Sequence, residues 1–283
     1  MNIFLMADGS AGGKVARLIE KHEFVYKGLA APRTSANKAM IARAEARGVA
    51  VLEAEVVSDA KFAGWVKDNE IDIILSIHTS HKVHADVIEA ARVGAYNLHP
   101  GRLPGYAGRN PVSWAIFNGE TLHASTLHVM TKDIDAGPVF CESFVEVDQN
   151  ETALTLMAKT SIAGVNMVDR FLAVIMRNQG IKVRPQHLGG KYYSAKATPM
   201  PGAIDWQRAA SDIERFVRAS NFGPFDAPWE LPLAKMAGKE IRLLAVAVGD
   251  ETNGVEPGTV IDRGKVLIAA SDRWVEVIEM QQH

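Results

Sequence analysis

Ile71-Asp72-Ile73-Ile74-Leu75-Ser76-Ile77 is the stretch on which the fold turns. It is short, almost wholly apolar and rich in β-branched residues. A strand exposed on one face would alternate apolar with polar; a continuous run of this length is the pattern of a strand covered on both faces. The same unit repeats upstream, where strands are predicted over residues 3–7, 24–30 and 50–53. Helices over 14–22, 37–47 and 58–69 separate them, the last with Ser58 as its N-cap. Downstream, a helix over 81–91 leads to a strand over 94–98. This alternation predicts an α/β fold with a Rossmann-like, mostly parallel sheet flanked by helices.

The rhythm breaks after Asn97. A proline- and glycine-rich loop, 99–110, leads to a helix over 111–118. Strands over 124–130 and 139–147 come next, joined by a loop over 131–138. A long helix over 152–177 starts near Asn150 or Glu151. Residues 189–203, Gly-Gly-Lys-Tyr-Tyr-Ser-Ala-Lys-Ala-Thr-Pro-Met-Pro-Gly-Ala, read as a linker. Beyond it come a helix over 206–220 and strands over 240–248, 258–263, 265–269 and 274–279, a smaller β-rich, OB-like unit. The expected domains are 1–190 and 203–283.

A chain of 283 residues allows one large domain, or one large and one small. The formal net charge of −2 advertises neither nucleic acid nor anionic lipid as a partner. The apolar start, residues 1–8, is too short for a signal peptide, and no apolar run reaches the ~18 residues of a membrane span. A single cysteine cannot form an internal disulfide, which suits a reducing cytoplasm. That residue, Cys141, lies in Val139-Phe140-Cys141 and reads as a small core side chain. A cytoplasmic protein with no membrane partner is expected.

The chemistry is expected around Ala95-Tyr96-Asn97-Leu98-His99-Pro100-Gly101-Arg102-Leu103-Pro104-Gly105-Tyr106-Ala107-Gly108-Arg109-Asn110-Pro111. An apolar strand ends there in a polar pair, and open α/β sheets bind ligands outside the carboxyl ends of their strands. Asn97 and His99 are two apart, so they share a face. An amide can donate to a developing oxyanion, and a histidine can accept or relay a proton. Asp135, in Thr131-Lys132-Asp133-Ile134-Asp135-Ala136-Gly137, is the candidate carboxylate to orient the imidazole. Taken alone, Asn97 and His99 read equally well as a packed strand-end histidine with its neighbour, and Asp133 and Asp135 read more readily as turn residues.

Three motifs in order, Asn97-Leu98-His99, Leu103-Pro104-x-Tyr106-x-Gly108 and Asp135-Ala136-Gly137, resemble the 10-formyltetrahydrofolate-dependent formyltransferases. That family includes methionyl-tRNA formyltransferase, the amino-sugar formyltransferases and glycinamide ribonucleotide formyltransferase. The resemblance spans nearly the whole chain; Ala203-Ile204-Asp205-Trp206, with the helix and β-rich tail after it, is similar to the C-terminal domain of the tRNA and sugar enzymes. The resemblance implies that 10-formyltetrahydrofolate is the co-substrate, with no metal, and that Asn97, His99 and Asp135 are catalytic. It also implies a pterin pocket held by main-chain groups and walled by Ile77, His78, Thr79, Ser80, Leu103, Thr131, Lys132, Asp133 and Ile134. The loop departs from the family in Pro100-Gly101-Arg102-Leu103-Pro104, where Ser-Leu-Leu-Pro is frequent, and in Ala107, where an arginine is common; Arg109 is the available substitute. These departures bear on contacts to the folate tail or the acceptor.

The acceptor is read from charge. From Ala203 onward nine Lys and Arg face thirteen Asp and Glu, an acidic surplus of four. Phosphate contacts dominate nucleic-acid affinity, so this is a poor cradle for tRNA. The loop at residues 31–36 is also short for a tRNA enzyme. Gly108-Arg109-Asn110-Pro111-Val112-Ser113-Trp114 with Asn118-Gly119-Glu120 resembles the amino-sugar enzymes more closely. A small-molecule amine, on a nucleotide-linked amino sugar, is the preferred acceptor. Methionyl-tRNA, an amino-acid amine and a homodimeric assembly stay open. A dinucleotide-binding oxidoreductase is the reading from another class, because Gly9-Ser10-Ala11-Gly12-Gly13 succeeds the first strand and opens a helix. Its glycine fingerprint is incomplete, and a tight structural turn accounts for it as well. The basic region Arg33, Lys38, Arg43 and Arg47 is either a solvated face or a site for an acceptor's phosphates.

Overall fold

The first strand is buried from Ile3 to Ala7, and its side chains alternate between two apolar layers. In a computed structural model of the chain, residues 1–283 are described except 178, 187, 188, 202, 226, 228, 230, 237, 263 and 283. Gly202 of the expected linker, Arg263 at an expected strand end, and Asp226 and Glu230 of the acidic tail therefore lie outside the described residues.

In chain order the elements are β1 (Asn2–Ala7), α1 (Gly9–Lys21), β2 (Val25–Ala30), α2 (Lys38–Glu45), β3 (Ala50–Leu52), α3 (Phe62–Asp68), β4 (Ile73–Ile77), α4 (Ala85–Glu89), β5 (Gly94–His99) and β6 (Ala107–Gly108). Then come α5 (Pro111–Phe117), β7 (Leu122–Val129), β8 (Val139–Glu146), α6 (Ala153–Met176), β9 (Tyr192–Tyr193) and α7 (Ala210–Ala219). The tail holds β10 (Leu233–Met236), β11 (Lys239–Glu251), β12 (Val260–Asp262), β13 (Val266–Ala269) and β14 (Arg273–Gln282).

A seven-stranded sheet runs in the order β3-β2-β1-β4-β5-β7-β8. β1 to β5 are mutually parallel, and β7 pairs antiparallel with β5. Ile3, Leu5 and Ala7 of β1 pack with α1, α2 and the later part of α6, whereas Phe4 and Met6 pack with α3 and α4. The period of two in β1 thus joins two helix layers to one sheet. A separate five-stranded antiparallel sheet, β10-β11-β14-β13-β12, makes up the tail and curls through register shifts in β11. β6 and β9 form a two-stranded ribbon. By proximity, residues Met1–Gly108, Ala124–Val145 and Lys159–Tyr192 gather into one compact unit. Arg109–His123, Glu146–Ala158 and Tyr193–His283 gather into the other. Among the described residues no helix is long and apolar enough to cross a membrane.

Several boundaries move for local reasons. Ser58 does not cap a helix: its Oγ donates to the Lys82 carbonyl at 2.7 Å, residues 54–58 make a 3-10 turn, and α3 starts only at Phe62. The helix expected over 81–91 shortens to α4, where the His84 Nδ1 accepts from the Asp86 N–H at 3.2 Å. The glycine stretch is the first turn of α1. Gly9 has φ +65°, and a Cβ on Gly12 would lie 2.5 Å from the Ala7 Cβ, so Gly12 lets the helix approach β1 closely. The basic region is largely a solvated face: Arg33 pairs with Glu53, and Arg43 and Arg47 both pair with Glu20. Cys141 packs at the edge of the core, where burial pushes its thiol up to about 11, away from nucleophilic use.

Candidate active site

Asn97 and His99 occupy the carboxyl end of β5 and, being two apart, reach the same neighbour. That neighbour is Asp135, in the loop between β7 and β8, with φ +53°, a left-handed conformation that Asp tolerates better than most side chains. Its carboxylate is almost fully buried. Oδ1 accepts from Asn97 Nδ2 at 3.3 Å and lies 3.4 Å from His128 Nε2. Oδ2 accepts from the Gly108 N–H at 2.9 Å and lies 3.5 Å from His99 Nδ1. The loop itself is pinned by Gln186, whose Nε2 donates to the carbonyls of Asp135 at 2.8 Å and Gly137 at 2.6 Å.

The proton positions are set by the acceptors. A carbonyl can only accept, so His99 Nε2, 2.7 Å from the Tyr106 oxygen, carries a hydrogen. His128 Nδ1, 2.9 Å from the Val129 oxygen, does likewise. A neutral His128 then presents a bare Nε2, which accepts from Asn97 Nδ2 at 3.2 Å. Both hydrogens of the Asn97 amide are thereby engaged, one on His128 and one on Asp135. The flipped amide would set its oxygen against the carboxylate, which rules that orientation out. Thr126 ties the loop after β5 to β7: its Oγ1 donates to the Gly101 carbonyl at 2.7 Å and accepts from the Leu103 N–H at 3.4 Å.

Burial lowers the pKa of His99 below the usual histidine value, outweighing the opposing pull of Asp135 and the Tyr106 carbonyl; His128 adds to the lowering. Burial would raise that of Asp135, but attraction to His99 and the hydrogen bond from the Gly108 N–H, with His128 close by, hold it well below the usual carboxylate range. The Gly108 N–H and Asn97 Nδ2 both donate to the carboxylate. The resting site is thus a neutral imidazole beside a carboxylate.

The residues expected to wall a pterin pocket fall into three groups. Ile77 ends β4 and is buried, and Leu103 is 4% exposed and turned inward. His78 has φ +56°, and although the residue keeps some surface, its Nε2 is sealed with no hydrogen-bond partner among the described residues. Burial drives its pKa down to about 4, with His99 adding to the lowering and Asp8 opposing it. Thr79 Oγ1 lies 3.4 Å from Ser76 Oγ, and Ser80 is exposed. Thr131, Lys132, Asp133 and Ile134 are exposed, with Thr131 Oγ1 donating to the Asp133 carbonyl at 2.9 Å. His81 pairs with Glu55 at 3.5 Å and stays outside the cluster.

Sequence reasoning missed His128, although a signal existed: Ser125, Thr126 and His128 are polar within a buried strand, and His128 stands opposite Asn97 in the register. Gln186 left no such signal. Gly137 carries a sharp constraint, because a Cβ there would lie 1.9 Å from the Val129 carbonyl oxygen. Gly137→Ala is expected to displace the Asp135 loop, costing on the order of 1–3 kcal/mol as overpacking does and most of the activity. Thermal unfolding and turnover of the purified variant check this; wild-type values for both would show that the loop absorbs a methyl group.

The α/β sheet thus carries a buried Asn-His-Asp cluster at the carboxyl end of β5. Residues 5–172 match the formyl transferase family and residues 196–283 match the formyl transferase C-terminal domain, and the chain belongs to that family. Solved structures agree in fold. An N-formyltransferase from Helicobacter canadensis, in complex with folinic acid and dTDP-3-aminofucose, superposes with a TM-score of 0.73 at 16% identity, covering 99% of each chain. A 4-N formyltransferase from Francisella tularensis gives 0.65 at 17% identity, over 85% of this chain and 95% of its own. HypX from Aquifex aeolicus, in complex with tetrahydrofolic acid, gives 0.64 at 19% identity, over 100% of this chain but 44% of its own.

Proposed function

We propose that this formyltransferase moves the formyl group of 10-formyltetrahydrofolate to the primary amine of a nucleotide-linked amino sugar. The observation that carries the reading is the convergence of Asn97, His99 and His128 on one buried carboxylate, Asp135. The amine nitrogen attacks the formyl carbon, and the carbonyl electron pair moves to oxygen. Asn97 Nδ2 exchanges one of its long internal contacts for that oxygen, a donor worth roughly 3–4 kcal/mol in the transition state. The attacking nitrogen loses a proton to the neutral His99, whose imidazolium Asp135 then stabilises. Collapse of the oxyanion breaks the bond to N10 of the folate, which takes up a proton, leaving tetrahydrofolate and the formamide. For the pterin, main-chain groups of residues 77–80 and 131–134 supply the bonding.

The acceptor assignment draws on the acidic tail and on the relative crystallised with dTDP-3-aminofucose. The test offers purified protein 10-formyltetrahydrofolate with thymidine- and uridine-diphosphate amino sugars, amino acids and methionyl-tRNA, monitoring tetrahydrofolate release and the mass gain on the amine. Amino sugars are expected to be turned over fastest at physiological salt. Methionyl-tRNA outrunning every small amine would overturn the acceptor class and leave the chemistry standing.

A further inference from the structure

His128 lies near the end of β7, opposite Asn97 in the register with β5, and is buried, so it can act on a substrate only through a neighbour. Asn97 Nδ2 lies 3.2 Å from His128 Nε2 and 3.3 Å from Asp135 Oδ1, and these two acceptors are 3.4 Å from each other. The three atoms make a nearly equilateral triangle. The two N–H bonds of a carboxamide lie in the amide plane and diverge by about twice the angle of such a triangle. Asn97 can therefore meet both acceptors only through bent hydrogen bonds. Two acceptors on one nitrogen also fix the plane of the amide, which one acceptor alone would leave free to pivot. The ring is itself held, because its Nδ1 donates to the Val129 carbonyl at 2.9 Å. With the hydrogen there, Nε2 is free to accept; a hydrogen on Nε2 would set donor against donor at Asn97.

We propose that His128 is a positioning residue for formyl transfer, whose bare Nε2 holds the Asn97 carboxamide in the plane from which one N–H turns to the oxyanion. The inference rests on the formyl-transfer reading above. The hydrogen released is the one on His128. Its bent bond to a neutral nitrogen is the weaker contact, whereas the bond to Asp135 is charge-assisted. Asn97 thus keeps its hold on the carboxylate while its other hydrogen moves to the developing charge. Without His128 the amide has to be oriented during the reaction, and a misplaced catalytic group loses rate rather than substrate affinity.

The test separates the two nitrogens of the ring. His128→Asn keeps a donor near the Nδ1 position and lacks the far acceptor. His128→Gln carries an acceptor to the Nε2 position and gives up the near donor, and His128→Leu removes both. With 10-formyltetrahydrofolate and the fastest amine of the panel above, His128→Asn and His128→Leu should lower kcat about ten- to a hundredfold, up to the loss of an oxyanion donor, and His128→Gln should stay within about fivefold of wild type. Acceptor KM and affinity for 5-formyltetrahydrofolate should change little. On an Asn97→Ala background, His128→Leu should cost no more than about twofold, because the two act as one unit. Independently of activity, two-bond proton–nitrogen correlation spectra of the wild-type protein should show His128 with its hydrogen on Nδ1 alone. Activity kept by His128→Asn and lost by His128→Gln would assign the ring to holding Val129 and overturn the proposal. Losses that multiply with Asn97→Ala, or a hydrogen on Nε2 in the spectrum, overturn it too. Should His128→Leu fail to fold, the contrast between His128→Asn and His128→Gln and the wild-type spectrum decide. Wild type that transfers formyl to no amine overturns the functional reading, and the role of His128 with it.

Discussion

Asp135→Asn is expected to lower kcat by about a thousandfold, within the range that removal of acid–base machinery produces, while folate binding changes little. The amide matches the carboxylate in shape and tolerates the left-handed backbone at φ +53°. It cannot match it electrically. Gly108 N–H, Asn97 Nδ2 and the two imidazoles all address this side chain, and an amide offers one acceptor oxygen where the carboxylate offers two. Its own NH2 would confront either Gly108 or Asn97, and no negative charge would remain to stabilise a protonated His99. Steady-state kinetics, with titration of 5-formyltetrahydrofolate and a melting curve to confirm folding, decide the matter. A kcat within tenfold of wild type would refute the role given to Asp135.

His99→Ala is expected to cost a hundredfold or more in kcat, because it removes the proton acceptor. Combining it with Asp135→Asn should add little, since groups that act as one unit are not additive. Multiplicative losses would give Asp135 a separate task. The pH profile carries an independent sign. Burial lowers the His99 pKa, so its neutral form persists below the ordinary histidine range, and the acid limb of kcat/KM should lie there. Asp135 opposes that lowering, so Asp135→Asn should shift the limb further to the acid side. A limb at or above the usual histidine value in wild type would contradict a neutral His99.

The sheet was legible because a strand covered on both faces must be almost wholly apolar, which Ile73–Ile77 shows in all but Ser76. Helix ends were less so: Ser58 resembles an N-cap in sequence, but a tertiary acceptor, the Lys82 carbonyl, takes its hydroxyl. At the site, Asn97 and His99 could be paired from spacing along a strand. Bringing Asp135 to them required a loop whose path depends on Gly137 and on Gln186, forty-nine residues further on. His128 was hidden for a different reason. Its polarity mattered only once β7 was known to pair with β5 in the register that faces it to Asn97.

α5 lies early in sequence yet belongs to the unit built mainly from the tail: it packs on α7, buries Val112, Ala115 and Ile116, and stacks Trp114 on Tyr193 at 4.4 Å. The gene is therefore not a string of two exchangeable cassettes. A chimaera spliced at residue 203 would give α5 a foreign partner, and a fragment ending at 190 would leave its apolar face uncovered. Recombination that keeps both units whole has to carry residues 109–123 and 146–158 along with the tail, which makes inheritance of the whole chain, rather than shuffling of its ends, the natural route by which such a protein changes.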